Sequence, residues 1–145
     1  MSKLGPLKTG KKGQTVKVGE TILAVENLKM YFPVAQGFFK GTKPLKAVDR
    51  VNFDLKAGET LAIVGESGSG KSTIGRAVLQ LLTPTGGKVV WMGKNIAGLG
   101  AQAMRKHRAD LQIVFQDPLA SLNPRMTVGD IIAEPLTSLY PKMSK

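Results

Sequence analysis

The 145-residue chain contains no cysteine, so no disulfide can staple it and no thiolate can act as nucleophile or metal ligand. Histidine is nearly absent. His107 is the only one, lies in a basic stretch without a partner at metal-ligand spacing, and reads as a surface residue. Aromatic residues make up 6% of the chain, too few to alternate with its basic residues as in single-strand nucleic-acid binders. No apolar run approaches the ~18 residues needed to cross a bilayer. The lysines near the N-terminus are not followed by the apolar stretch of a signal peptide, so the cytoplasm is the expected compartment. Acidic residues are also scarce, 10 against 21 Lys and Arg, for a net charge of +11. That excess suits a polyanionic ligand, but its placement is scattered, and nucleic acid is not expected as a partner.

What the chain has is the composition of one globular domain: 42% hydrophobic and 21% charged residues. Residues 1–19 carry Lys3, Lys8, Lys11, Lys12 and Lys17 among Gly, Thr and Ser without hydrophobic periodicity, and read as a basic flexible leader. Residues 20–145 form the expected folded part. Thr21–Leu28 nearly alternates apolar with polar residues and predicts a half-buried strand. Pro33–Pro44 predicts an exposed loop with Phe38 and Phe39 at its middle. Ala47–Leu55 predicts an antiparallel or bent strand, and Ala57-Gly58-Glu59 a turn. The continuous run Thr60–Val64, β-branched at Thr60, Ile63 and Val64, predicts a central strand buried on both faces. Ser72–Leu82 has helical spacing and a stop at Thr83-Pro84. Lys88–Met92 and Leu111–Phe115 read as short strands, Gln102–Arg108 as a short basic helix, and Val128–Glu134 as a helix ending at Pro135.

Between the expected central strand and the helix lies Gly65-Glu66-Ser67-Gly68-Ser69-Gly70-Lys71-Ser72, which satisfies G-x-x-x-x-G-K-[ST] in the strand-to-helix context that this loop requires. Its glycines let successive N–H groups turn inward and form a nest for phosphate oxygens at the positive end of a helix. Lys71 adds a full positive charge, and Ser72 offers a hydroxyl to Mg²⁺. Alone, the loop leaves kinases, GTPases, helicases and transporters open.

A second segment narrows the choice. Leu111-Gln112-Ile113-Val114-Phe115-Gln116-Asp117-Pro118 continues as Leu119-Ala120-Ser121-Leu122-Asn123-Pro124-Arg125-Met126-Thr127-Val128 and on through Gly129 to Leu136. A short β-rich run ending in Gln resembles the Q-loop of ATP-binding cassette (ABC) transporters. With the loop GESGSGKST and the preceding KAVDRVNFDLKAGETLAIV, residues 20 to 140 resemble the ATPase subunits of bacterial dipeptide and oligopeptide importers, above all the subunit designated F.

The resemblance implies an α/β fold, the P-loop NTPase fold of the ABC nucleotide-binding domain, with only its N-terminal part present. It implies ATP and Mg²⁺ as cofactors, with Gly65, Glu66, Ser67, Gly68, Ser69, Gly70, Lys71, Ser72 and Thr73 around the phosphates and Ser72 on the metal. Phe32 stands where such ATPases stack an aromatic ring on adenine, with adjacent Tyr31 the second choice. Gln116 would reach the metal and the attacking water, a task that suits an amide because it both donates and accepts. The implied function is to couple ATP binding and hydrolysis to peptide import at the cytoplasmic face of the inner membrane. The implied partners are a second ATPase subunit, identical or different, the transmembrane permease subunits and, indirectly, an extracytoplasmic peptide-binding protein. The family's signature motif, its Walker B strand ending in Asp and a catalytic Glu, and its switch histidine do not occur in this sequence, so the chain reads as a truncated portion with little hydrolysis of its own. A non-catalytic nucleotide-binding fragment and another kind of P-loop NTPase are the alternatives.

Overall fold

The computed structural model describes residues 7–9, 14–37, 41–117 and 121–140, in two units, residues 1–100 and 101–145. Phe38 and Phe39 of the expected loop, Pro118–Ala120 of the Q-loop-like segment, residues 1–6 and 10–13 of the expected leader and residues 141–145 lie outside the described residues.

In the first unit the chain runs β1 (Leu7–Thr9), β2 (Gln14–Val16), β3 (Thr21–Ala35), β4 (Thr42–Lys56), α1 (Lys71–Val78), β5 (Gly86–Trp91) and β6 (Lys94–Asn95). β1 and β2 form an antiparallel pair, and the other four strands form an antiparallel sheet in the order β4-β3-β5-β6. Part of the stretch expected as a flexible leader is therefore regular structure. Val16 is buried at 3% exposure, and Gly19 N–H donates to Ala57 O while Ala57 N–H donates to Glu20 O, tying the entry of β3 to the exit of β4.

The alternation on β3 explains the core. Leu23 and Val25 are buried, as are Leu28 and Met30, so the inward phase slips by one between the two pairs. Asn27 makes the slip, with φ 50, where the ladder passes from Val25↔Phe53 to Leu28↔Val51. β4 answers with extra residues between its pairings Leu28↔Val51, Met30↔Val48 and Tyr31↔Lys46. The side chain of Asn52 spans the two irregularities: Oδ1 accepts from Asn27 N–H at 2.7 Å and Nδ2 donates to Arg50 O at 3.0 Å. α1 lies against β3 and β4 and buries Ala77 and Val78. With Val48, Val89, Trp91 and Ile96 this makes a core on one side of the sheet, where each fully buried aliphatic side chain contributes about 1.5–3 kcal/mol.

Three further sequence expectations for this unit are corrected. Pro33–Pro44 is not a loop throughout: Pro33 pairs with Pro44, Val34 with Lys43 and Ala35 with Thr42, lengthening β3 and β4. The two prolines share one rung, so both missing donors fall where an antiparallel ladder can leave a pair without hydrogen bonds. Thr60–Val64 forms no strand, and Val64 is 88% exposed. A buried parallel strand needs neighbours on its edges, and the described strands of this unit all pair antiparallel with one another. The expected Ser72–Leu82 helix begins at Lys71 and ends at Val78. Gln80 at φ 53 donates from N–H to Ala77 O while Leu81 N–H donates to Arg76 O, a Schellman closure with glutamine in the position glycine usually takes.

In the second unit α2 (Ala101–Met104) is shorter than the expected basic helix, and turns follow it to Asp110. Leu111–Phe115 forms no strand; Val114 is 91% exposed, and no described strand lies in this unit to pair with it. α3 (Val128–Leu139) continues through Pro135 where a stop was expected. Its start is secured by Thr127, whose Oγ1 accepts from Asp130 N–H at 3.2 Å and donates to Asp130 Oδ2 at 2.7 Å. Pro135 removes one donor, and the helix still closes with Tyr140 N–H on Leu136 O.

Candidate functional site

Gly65–Ser72 crosses the surface of the first unit into α1. Gly68 and Gly70 have φ of 80 and 93, a region that costs glycine nothing and other residues a strained backbone. Gly70 is the N-cap of α1; no side chain caps the helix, and no acidic residue occupies its first turn. The N–H groups of the first turn lack intrahelical acceptors, and the macrodipole adds about half a positive charge there. Lys71 Nζ turns back over the loop, donating to Gly65 O at 2.9 Å, Glu66 O at 2.6 Å and Ser69 Oγ at 3.4 Å. Ser69 N–H donates to Glu66 O, closing the loop on itself. An ammonium, uncapped N–H groups and no nearby first-turn carboxylate form a donor set suited to a polyphosphate, and the exposed Ser72 stands beside it with an oxygen for a hard cation.

The loop is seated by its last glycine. An added Cβ on Gly70 would lie 2.4 Å from Ala47 O and 3.9 Å from Val48 Cγ2, so the loop abuts β4 at the irregularity between Val48 and Lys46. Met30 pairs with Val48, and strand alternation returns Phe32 to the Met30 face, the side on which Gly70 packs. Phe32 is half-buried and pairs with Leu45.

Tyr31, the second choice for stacking, is otherwise engaged. Its hydroxyl donates to Asp49 Oδ1 at 2.5 Å, its ring has Lys46 Nζ 5.5 Å from the centroid, and its backbone N–H donates to Thr85 Oγ1 at 3.2 Å. The Tyr31 hydroxyl holds the Asp49 carboxyl below the usual carboxylate range, with Lys46 and Arg50 assisting. The same bond pushes the phenol of Tyr31 above its ordinary value, and partial desolvation adds to it. Asp49 and Thr85 were invisible to motif reading because neither belongs to a local pattern; only the fold brings them to Tyr31.

Thr73 is half-buried in α1. Gln116 belongs to the other unit, at an exposed bend after Phe115, and His107 in that unit is half-buried, its N–H donating to Met104 O. No cluster of three or more His, Cys, Asp or Glu able to hold a metal occurs among the described residues. A cavity of about 390 Å³ lined by Thr15, Val16, Glu20, Thr21, Met92 and Gly93 includes none of the expected site residues.

Residues 48–144 match the family model described as ABC transporter. The chain is 51% identical over 129 residues to the oligopeptide transport ATP-binding protein OppF of Salmonella typhimurium, covering 87% of this chain and 39% of the relative. It is 50% identical over 121 residues to AppF of Bacillus subtilis, 82% of this chain and 37% of the relative, and 49% identical over 124 residues to the glutathione import ATP-binding protein GsiA of Escherichia coli, 85% and 20% respectively. The chain thus spans less than half the length of these relatives. Among solved structures it is similar to the ATP-binding cassette MJ0796 in a dimeric, post-hydrolysis state bound to ADP and Pi, with a TM-score of 0.71 and 28% identity over 86% of this chain and 50% of that one. It is also similar to cbiO1 of Clostridium perfringens, described as part of the complex cbiONQ, with a TM-score of 0.54 and 26% identity over 81% and 49% of the two chains.

Proposed function

Because the chain belongs to the ABC transporter family, with part of the ATP-binding cassette fold, we propose that it is the nucleotide-binding part of the ATPase subunit of a peptide importer. In this reading residues 1–19 are a leader and residues 20–145 the N-terminal part of the ATPase domain. The observation that carries it is Lys71 folded over a glycine loop at an uncapped helix start. The N–H groups of Gly65–Thr73 receive the phosphate oxygens, and Lys71 exchanges its bonds with Gly65 O and Glu66 O for the β- and γ-phosphates.

Phe32 stacks on the base, adding apolar contact without reading base identity strongly. Ser72 Oγ would give Mg²⁺ an oxygen beside the phosphates, where the ion would neutralise their charge, and the resemblance assigns the Gln116 amide oxygen as a further metal ligand. Gln116 orients the attacking water, and the named functions of OppF, AppF and GsiA support import of peptides as the work driven. The working assembly in this reading is a pair of ATPase subunits, identical or different, on permease subunits at the cytoplasmic face of the inner membrane, fed by an extracytoplasmic peptide-binding protein.

Calorimetric titration of the chain with Mg-ATP tests the reading. Hydrogen bonds to charged groups contribute about 1.5–3 kcal/mol, so Lys71→Ala should weaken binding at least about tenfold. Equal affinity in the two proteins, with unchanged circular dichroism, would overturn it.

A further inference from the structure

Beyond Lys29, which pairs with Gly86, β3 has no β5 residue beside it, and Tyr31 to Ala35 run on with β4 as a two-stranded ribbon. Such ribbons are marginal alone in water. This ribbon carries Phe32, and it starts at the irregularity against which Gly70 is packed. Tyr31 is where it is fastened. Its N–H is held on the β5 side by Thr85 Oγ1, whose own N–H donates to Lys29 O at 2.9 Å. Its hydroxyl is held on the β4 side by Asp49 Oδ1, and Asp49 Oδ2 lies 3.4 Å from Lys46 Nζ, the residue paired with Tyr31. The fastening thus spans the irregularity from both edges of β3.

We propose that Tyr31, fixed by Asp49 and Thr85, is a positioning residue that holds the neighbouring Phe32 at the correct height over the phosphate loop, and so sets how much of the affinity for a nucleotide comes from its base. The inference rests on the reading of Phe32 as the stacking residue. Tyr31 does not touch the ligand; it acts by removing freedom that binding would otherwise have to remove. The O–H to carboxylate bond is charge-assisted and suits that task better than apolar packing on an exposed ribbon.

The experiment compares ATP with inorganic tripolyphosphate, which presents the phosphates without the base, on the wild-type chain and on Tyr31→Phe, which keeps the ring and loses only the hydroxyl. ATP affinity should fall about three- to tenfold in Tyr31→Phe while tripolyphosphate affinity stays within about twofold. Asp49→Asn retains an acceptor for the hydroxyl and should show a smaller loss in the same direction; Thr85→Val should reproduce the selective loss from the other side. A general loosening of the fold would lower both ligands together, and that parallel loss overturns the proposal, as does unchanged ATP affinity in Tyr31→Phe. Failure of the wild-type chain to bind either ligand would overturn the phosphate-loop reading, and equal wild-type affinity for both would overturn Phe32 as stacking residue.

Discussion

Gly70 and Ala47 touch where the glycine loop meets the sheet: a Cβ on Gly70 would sit 2.4 Å from the carbonyl oxygen of Ala47. With φ 93 at the same residue, Gly70→Ala brings a backbone clash and a strained dihedral together, for an expected loss of about 2–4 kcal/mol in urea unfolding. Gly75 is the control. It lies inside α1 with nothing within 4 Å of an added Cβ, so Gly75→Ala should raise stability by about 0.5–1 kcal/mol. Similar effects at the two positions would mean that the contact with Ala47 does not seat the loop.

The positive-φ turns at Gly68 and Gly70 and the helix start at Lys71 are legible in the sequence because their signal is local: glycine spacing followed by a helical pattern is enough to place them. Thr60–Val64 was misread for the opposite reason. β-branched residues state a preference for extended backbone, but a strand exists only where another lies beside it, and that is not encoded within five residues. The end of α1 was hidden by Gln80, which occupies a conformation for which the expected signal is glycine. The ties of Tyr31 to Asp49 and Thr85 join residues 18 and 54 positions apart, beyond any motif.

Arg50 holds φ 57 in β4, a conformation that costs a residue with Cβ about 1–2 kcal/mol. It gains an ion pair with Asp49 at 3.5 Å, in which the Arg50 side chain is exposed and solvent screens the attraction. Arg50→Gly should therefore leave stability unchanged or raise it by about 1 kcal/mol. Asn27 has φ 50 but tolerates it better, so Asn27→Gly should gain less in the same denaturation series. A larger gain at Asn27 would count against this ranking.

The Tyr31–Asp49 bond sets two pH limits. Asp49 is held below its ordinary value of about 3.9, so it contributes stability above that value and loses it as pH falls through its lowered folded-state value. Tyr31 is held above about 10, so its contribution is complete below that value and disappears as pH rises through the raised one. The difference in Tm between wild type and Tyr31→Phe should be flat from about pH 5 to pH 9 and shrink on either side. A difference that persists undiminished into strong acid and strong alkali would show that the hydroxyl-carboxylate bond is not its source.

Gln116, in the role proposed for it, meets metal and water and does not anchor phosphate. Gln116→Ala should keep Mg-ATP affinity within about threefold of wild type, against at least about tenfold for Lys71→Ala. Parity of the two variants in calorimetry would remove Gln116 from that role and make it a phosphate anchor.

The proposed function gives the glycine loop to phosphate, the Ser72 hydroxyl to a cation and the Gln116 amide to water, yet the sequence has no apolar run ending in Asp and Glu. Binding depends on the loop, whereas turnover also needs a group to take the proton of the attacking water, and general bases contribute about 10²–10⁴-fold to rate. Residues 1–145 should therefore bind Mg-ATP while releasing no phosphate above background in a coupled phosphate assay. Lys71→Ala separates weak activity from contamination, since only turnover at this loop depends on that lysine. Sustained phosphate release that disappears in Lys71→Ala would mean that a carboxylate in these 145 residues serves as the base, and Asp117, beside Gln116, would be the first to replace with Asn.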